Sequence, residues 1–184
     1  MLVLASRSPR RQEILANAGI PFTVRAPSVP EERTDGEAAE DYVKRLACDK
    51  ALAVECGDDE IILSADTVVV VKDQILEKPR DPLDAGRMLR LLSGCEHQVL
   101  TGICLRDEMR LILDVASTRV RFVPLSATEI QQYVRSAEPI DKAGGYAIQG
   151  LASKYVERIE GCYFNVVGLP IALVYRRLKE FGFE

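Results

Sequence analysis

We predict an α/β fold, a single domain over residues 1–184 with a central mixed β-sheet flanked by helices. The stretch from Ile61 to Val71 is apolar on both faces when it is drawn as a strand, which is typical of a central strand covered by helices on each side. Strands alternate with helices early in the chain, and an antiparallel strand pair and further helices follow. A length of 184 residues suffices for one well-cored domain and is short for two.

The composition indicates a globular protein without broad affinity for anionic surfaces. The chain is 47% hydrophobic and 28% charged, and its net charge of −4 argues against non-specific binding to nucleic acid or to an anionic membrane. Its first residues are apolar and then basic, the reverse of a secretory signal, and no apolar run approaches membrane-spanning length. Five cysteines without paired spacing predict neither a disulfide framework nor a zinc site. We therefore expect a cytoplasmic protein with no nucleic-acid or membrane partner.

The first elements bring arginines to the start of a helix. Residues 2–5 predict a strand, and Ser8 followed by proline predicts the start of a helix that ends at Gly19. Arg10 and Arg11 lie in the first helical turn, where the helix dipole disfavours positive charge. An anion such as phosphate that docks at this helix start explains them, and solvated arginines are the alternative.

Two charged residues are predicted to point inward. The helix over residues 38–56 has an apolar face with Lys50 in its middle, and an inward lysine reaches solvent, pairs with a buried acid or meets a ligand. Asp66 lies in the middle of the central strand, where an unpaired charge costs several kcal/mol (about 3–5). It is either a structural carboxylate that accepts backbone N–H bonds or one that faces a cation, a metal or a water. Lys50 and Asp66 together suggest a shared site.

Capping and turn signals predict the other elements. They are a strand at residues 22–26, an acidic loop at 31–37, a short return strand at 75–76, a helix capped by Asp81, an antiparallel strand pair at 98–105 and 111–123, a helix opened by a Ser126–Glu129 capping box, a glycine-containing loop at 141–150, a hairpin of strands 155–159 and 162–167, and a final helix opened by Pro170. The single histidine, His97, has no predicted partner and is left out of the site.

Four segments, taken in order, resemble the Maf family of nucleoside triphosphate pyrophosphatases. They are LASRSPRR (residues 4–11), SADTVV (64–69), EKP (77–79) and DKAGGYAIQG (141–150), and RLACDKA (45–51) supports them. The resemblance implies a cytosolic hydrolase with a Maf/inosine-triphosphatase-like fold. Arg11, Thr67 and Gln149 match the branch that acts on dTTP and UTP, whereas the branch for 7-methyl-GTP typically has Ala-Gly-Ser-Phe in place of Ala-Gly-Gly-Tyr.

The resemblance also implies roles for individual residues. Asp66 would be the general base or a metal ligand, and Glu32 a second carboxylate for Mg²⁺ or Mn²⁺, with Glu31 the alternative if the match is offset by one residue. The residues that would neutralise the triphosphate are Ser6, Arg11, Lys50 and Lys78, with Lys50 and Lys78 counted as catalytic. Those that would select the base are Arg11, Thr67 and Gln149. A glutamine offers both a donor and an acceptor to a pyrimidine edge.

Two other functions are weighed against dTTP and UTP hydrolysis. One is hydrolysis of 7-methyl-GTP, and the other is nucleotide binding by a regulator of cell division, a role linked to the family's name. A binding module does not need a carboxylate beside an attacking water, so Asp66 with Lys50 and Lys78 favours the enzyme. The expected partner is a nucleoside triphosphate substrate, and the family precedent makes a homodimer reasonable.

Overall fold

A mixed β-sheet runs through the computed structural model, which describes residues 1–183. In the described part of the chain it has seven strands, in the order β2-β1-β3-β5-β6-β7 with β4 paired to β3. Their bounds are β1 Leu2–Leu4, β2 Phe22–Val24, β3 Ile61–Val71, β4 Gln74–Leu76, β5 Glu96–Arg106, β6 Leu111–Phe122 and β7 Val156–Glu160. β1 is parallel to β2 and β3, whereas the β3–β4 and β6–β7 pairs are antiparallel. The predicted α/β class with a mixed sheet is confirmed.

Six α-helices connect or follow these strands within residues 1–183. They are α1 Pro9–Asn17, α2 Ala39–Leu52, α3 Pro82–Leu92, α4 Ala127–Arg135, α5 Tyr163–Val167 and α6 Ile171–Glu180. The predicted caps of α3 and α4 are present: Asp81 accepts from the Asp84 amide, and Ser126 and Glu129 form a reciprocal capping box. No helix in the described part is both long and apolar enough to cross a bilayer.

The chain divides into two compact units. Unit 1 comprises residues 1–66, 101–116 and the segment from Gly168 onward, and unit 2 comprises residues 67–100 and 117–167. The core of unit 1 packs α2 on the sheet and includes Val3, Ala47, Ile62 and Cys104. Unit 2 has an aromatic core in which Phe122 and Tyr146 meet edge to face, with ring centroids 4.8 Å apart. The predicted single domain stays a prediction.

β3 is buried on both faces, as its sequence predicts. Nine of its eleven residues are buried, and the other two, Thr67 and Val70, are half-buried. Lys50 and Asp66 are also buried, at 9% and 8% exposure. The inward placement predicted for both side chains is therefore observed.

The predicted strand at residues 162–167 is wrong. Tyr163–Val167 forms the short helix α5, and β7 pairs with β6 instead. The aromatic and β-branched residues favour a strand locally, but Asn165 donates to the carbonyl of Val99 and to the hydroxyl of Thr118, at 2.9 and 3.0 Å. These buried tertiary hydrogen bonds override the local preference.

A close approach between α2 and the sheet requires a glycine at position 102. A Cβ on Gly102 would contact the carbonyl of Val43 and lie 2.8 Å from the amide nitrogen of Lys44. Both are backbone atoms of a helix, which cannot move aside as a flexible side chain does. Gly102 thus lets the first half of α2 lie directly on β5.

We predict that Gly102→Ala lowers the free energy of unfolding by about 3 kcal/mol, because the added methyl group separates α2 from the sheet. Urea denaturation followed by circular dichroism measures the change. Gly86→Ala in α3 is the matched control, since its Cβ would meet only the flexible Arg90 side chain at 3.5 Å. The control should be neutral or stabilising by up to about 1 kcal/mol. Equal effects of the two substitutions would contradict the close approach.

Candidate active site

One ammonium group in unit 1 binds two carboxylates. Lys50 Nζ on α2 lies 2.6 Å from Asp66 Oδ1 on β3 and 2.6 Å from Glu31 Oε1. The Asp66 and Lys50 side chains are each 11% exposed, whereas that of Glu31 is 41% exposed. The cluster therefore has one buried carboxylate on the sheet and one carboxylate open to solvent.

The loop that carries Glu31 is fastened to α2 by its neighbours. The Tyr42 hydroxyl donates to the Glu31 carbonyl at 3.2 Å, and Arg45 Nη2 donates to the Glu32 carbonyl at 2.9 Å. Arg45 also binds Glu37 with two hydrogen bonds of 2.6 and 2.7 Å and lowers the pKa of Glu37 to about 2. An acidic loop without regular structure is thereby held over Lys50.

A second hydrogen bond fixes α2 against β3 beside Asp66. The buried Ser64 hydroxyl, two residues before Asp66, donates to the Ala47 carbonyl in α2. Lys50 follows Ala47 by less than one helical turn. The relative position of Lys50 and Asp66 is consequently set by main-chain and packing contacts as well as by their own ion pair.

Arg11 is held near the point where β1 ends against β3. The two strands are parallel with Leu4 opposite Leu63, so β1 ends beside β3 three residues before Asp66. Arg11 Nη1 donates to the Ala65 carbonyl at 2.7 Å and to Ser6 Oγ at 3.2 Å, and its Nε donates to the Gly168 carbonyl at 2.8 Å. Ser6 and Arg11 are thus placed next to the residue that precedes Asp66.

Burial and the neighbouring positive charges shift the pKa of Asp66 in opposite directions. Burial raises the pKa of Asp66 above its ordinary value, whereas Lys50 and then Arg11 lower it. Burial also lowers the pKa of Arg11, and Asp66 opposes that change. A carboxylate with a raised pKa is a stronger base than one in water, which suits proton abstraction.

Three of the predicted site residues, Thr67, Lys78 and Gln149, belong to unit 2. Lys78 is exposed and is the second residue after β4, and Pro79 after it is buried. The carbonyl of Glu77 accepts a 3.0 Å hydrogen bond from the amide of Gly144. A Cβ on Gly144 would lie 2.7 Å from Val69 Cγ2, and its φ of +69° also favours glycine. The glycine-containing loop is therefore packed beside the segment that carries Lys78.

The same loop carries Gln149 and is anchored by His97. Gln149 is exposed, whereas Tyr146 and Ile148 before it are buried. The Tyr146 hydroxyl lies 2.8 Å from His97 Nε2. Burial lowers the pKa of His97 to about 4, so the ring is neutral at pH 7. His97 has a structural partner, in keeping with its exclusion from the predicted site.

The structure brings together Ser6, Arg11, Lys50 and Asp66 in unit 1, and it adds Glu31. Glu32 is exposed, and its main-chain carbonyl, not its carboxylate, binds Arg45. Thr67, Lys78 and Gln149 lie in unit 2. Sequence reasoning left the choice between Glu31 and Glu32 open and missed the contacts of Tyr42 and Arg45 with the loop. The acidic residues at 31–37 just before α2 were a possible signal for a basic partner such as Arg45, which binds the Glu37 carboxylate.

The carboxylate pair fits a divalent cation that the substrate helps to bind. In the described part of the chain, no three or more His, Cys, Asp or Glu side chains are grouped to hold a metal. Glu31 and Asp66 nevertheless point at one common cation, the Lys50 ammonium group. One or two carboxylates completed by waters and substrate phosphates is the usual donor set for Mg²⁺. By this geometry Glu31 fits that set better than Glu32.

Comparison with known proteins gives a family and several relatives. The family model described as Maf-like protein matches residues 1–181. The chain is 49% identical over 182 residues to a protein of Koribacter versatilis named dTTP/UTP pyrophosphatase, covering 98% of this chain and 94% of that protein. Proteins with the same name from Geobacter sulfurreducens and Shigella dysenteriae are 49% and 46% identical, each over 98% of this chain and over 96% and 93% of their own lengths.

Solved structures with the same fold are much more distant in sequence. The Staphylococcus aureus Ham1 protein aligns with a TM-score of 0.53 at 13% identity, over 97% of this chain and 98% of that one. A HAM1 protein from Coxiella burnetii aligns with a TM-score of 0.52, also at 13% identity, over the same shares of the two chains. These likenesses support the predicted fold.

We predict that Lys50→Met lowers the free energy of unfolding by about 2 kcal/mol, because it leaves the buried Asp66 carboxylate without its ammonium partner. Adding Asp66→Asn should restore part of that loss, since the uncompensated charge is then gone. Urea denaturation of the two single variants and the double variant measures the coupling. Lys44→Met, which removes the same charge from the same helix, is the control and should change stability by less than about 0.5 kcal/mol. Additive effects of Lys50→Met and Asp66→Asn would contradict a dependence of Asp66 on Lys50.

Proposed function

The chain belongs to the Maf family, and from this premise we propose that it is a nucleoside triphosphate pyrophosphatase that hydrolyses dTTP and UTP. The names of relatives that are 46–49% identical over nearly the whole chain support this substrate pair. The observation that carries the proposal is Asp66, a buried carboxylate held 2.6 Å from Lys50 on the central strand. A module that only binds nucleotides does not require such a base.

The reaction consumes one water and needs one base. A water oxygen attacks the α-phosphorus, the bond from that phosphorus to the bridging oxygen breaks, and pyrophosphate leaves with the bridging oxygen. Asp66 takes a proton from the attacking water, and its carboxylate is kept ionised and oriented by Lys50. The products are the nucleoside monophosphate and pyrophosphate.

Fixed positive charges would neutralise the polyphosphate. Arg11 is held in place by the Ala65 and Gly168 carbonyls, so little reorganisation is needed when an anion binds. By resemblance, Ser6, Lys50 and Lys78 share this task. Arg11, Thr67 and Gln149 are proposed to select the base, and the exposed Gln149 amide can both donate to and accept from a pyrimidine edge.

We propose Mg²⁺ or Mn²⁺ as the cofactor, held by Asp66 and Glu31. When bound, such an ion neutralises phosphate charge and lowers the pKa of a coordinated water. Glu31 takes the place first assigned to Glu32, because its carboxylate approaches the partner of Asp66. The Glu31 side chain is 41% exposed, which lets a hydrated cation reach it.

Two further expectations belong to this proposal. A cytoplasmic location fits the five cysteines, all of which are free thiols. A homodimer follows from family precedent alone. The partner is the nucleotide substrate.

We predict that the wild-type protein with Mg²⁺ releases pyrophosphate from UTP and dTTP in a panel of triphosphates, and that Asp66→Asn lowers kcat by at least about 1000-fold. The amide has nearly the same shape but cannot accept the proton. Asp73→Asn, in the exposed turn after β3, is the matched control and should retain full activity. Circular dichroism verifies that both variants are folded. Normal turnover by Asp66→Asn would make Asp66 a structural residue, and tight UTP binding without any turnover would favour the regulatory module.

The dependence of activity on Mg²⁺ concentration distinguishes Glu31 from Glu32. We predict that Glu31→Gln raises the Mg²⁺ concentration for half-maximal activity at least about tenfold, since a ligand is lost. Glu32→Gln removes an identical charge from the adjacent position and should leave that concentration nearly unchanged. Titration of Mg²⁺ at saturating UTP measures both. The opposite ranking of the two variants would restore the assignment of Glu32.

A further inference from the structure

The main chain on either side of Gln149 is held by two side chains of unit 2. The amide of Ala147, two residues before Gln149, donates to the Tyr133 hydroxyl at 3.1 Å. The amide of Leu151, two residues after it, donates to Glu138 Oε2 at 3.1 Å. Gln149 itself is exposed between these anchored positions.

The two anchors are linked into one hydrogen-bonded chain. The Tyr133 hydroxyl donates to Glu138 Oε1 at 2.7 Å while it accepts from Ala147. Tyr133 is only 3% exposed, and burial, followed by the Glu138 carboxylate, raises its pKa. The hydroxyl therefore keeps its proton at neutral pH and can donate and accept at once. Glu138 Oε1 accepts from the Tyr133 hydroxyl and Oε2 accepts from the Leu151 amide, so both carboxylate oxygens have a partner.

Gly150 shows how tightly the loop follows the carboxylate. A Cβ on Gly150 would lie 2.5 Å from Glu138 Cδ and would overlap both carboxylate oxygens. Any side chain at position 150 would thus push Glu138 away from the Leu151 amide. Glycine at position 150 therefore allows the contact between Glu138 and the Leu151 amide.

Glu138 is held in its own position by local structure. It follows α4 through Ala137, whose φ of +61° is a left-handed conformation that costs a non-glycine residue about 1 kcal/mol. The Glu138 amide donates to Ser136 Oγ at 3.3 Å, and its carbonyl accepts from Lys142 Nζ at 2.9 Å. A strained residue and two hydrogen bonds direct the carboxylate toward the loop.

We propose that Tyr133 and Glu138 are positioning residues that fix Gln149 for recognition of the pyrimidine base. The inference rests on the proposed function, because it needs Gln149 to contact the base. Neither residue touches the substrate in this account. They act by holding the backbone at both ends of the segment 147–151, so that the side-chain amide of Gln149 meets the base in one orientation.

The expected effect is on selectivity rather than on chemistry. The exposed Leu151 amide can bind water when it loses Glu138, so Glu138→Gln changes stability little. The Ala147 amide is part-buried, so loss of the Tyr133 hydroxyl lowers stability by the contribution of one hydrogen bond. A displacement of the Gln149 side chain by a fraction of an ångström, however, weakens a hydrogen bond that distinguishes uracil from cytosine. The residues proposed to bind the phosphates, Ser6, Arg11, Lys50 and Lys78, all lie outside residues 147–151.

The test compares three conservative variants. Tyr133→Phe and Glu138→Gln should each lower the ratio of kcat/KM for UTP to kcat/KM for CTP by about tenfold. Inhibition by inorganic tripolyphosphate, which has no base, should keep its Ki. Tyr155→Phe is the matched control, since this buried tyrosine donates at 3.4 Å to the Glu129 carbonyl in α4, not to the loop. It should leave the ratio unchanged.

A double-mutant cycle separates positioning from general damage. In a Gln149→Ala background the UTP/CTP ratio is already reduced, and adding Tyr133→Phe or Glu138→Gln should reduce it no further. A further fall of the ratio in that background would overturn the inference, because the two residues would then act independently of Gln149.

The outcomes distinguish this inference from the proposed function. A wild-type protein that releases no pyrophosphate from UTP would overturn both. A selective wild-type enzyme whose selectivity survives in Tyr133→Phe and in Glu138→Gln would overturn the positioning role alone. Loss of selectivity in both variants with an unchanged Ki for tripolyphosphate supports it.

Discussion

The ion pair between Lys50 and Asp66 is the constraint on which the site of unit 1 depends. A carboxylate in the middle of a buried strand destabilises the fold unless a cation meets it, and Lys50 does so at 2.6 Å. Meeting it requires α2 to lie close to the sheet, which Gly102 and the Ser64–Ala47 hydrogen bond allow. Asp66 and Lys50 are thus parts of the core packing, so their geometry has the rigidity of the core.

The remaining charges of unit 1 are fixed by main-chain atoms rather than by one another. Arg11 binds the carbonyls of Ala65 and Gly168, and the loop with Glu31 is held through carbonyls that accept from Tyr42 and Arg45. Backbone carbonyls are fixed by the fold, so each of these side chains is placed before any ligand arrives. Such an arrangement suits a polyanion better than flexible surface lysines would.

Much of this could be predicted from the sequence, and the failures have physical reasons. The bounds of β3 follow from a continuous apolar run, which is the pattern of a strand buried on both faces. The inward direction of Lys50 follows from its place on the apolar face of an amphipathic helix. The helix at residues 163–167 was missed because the buried hydrogen bonds of Asn165 decide it, and these join residues far apart in the chain. The position of Glu31 could not be predicted either, since Arg45 and Tyr42 set an irregular loop through tertiary contacts.

The contacts of Glu138 and Tyr133 with the loop have a consequence for how substrate preference can change. Both residues bind backbone amides, at positions 147 and 151, and neither binds the side chain at position 149. The identity of that side chain can therefore vary while its attachment point stays fixed. Given the recognition role proposed for Gln149, a single replacement at this position is expected to change the base preference while the main chain of the loop and the groups proposed for hydrolysis keep their positions.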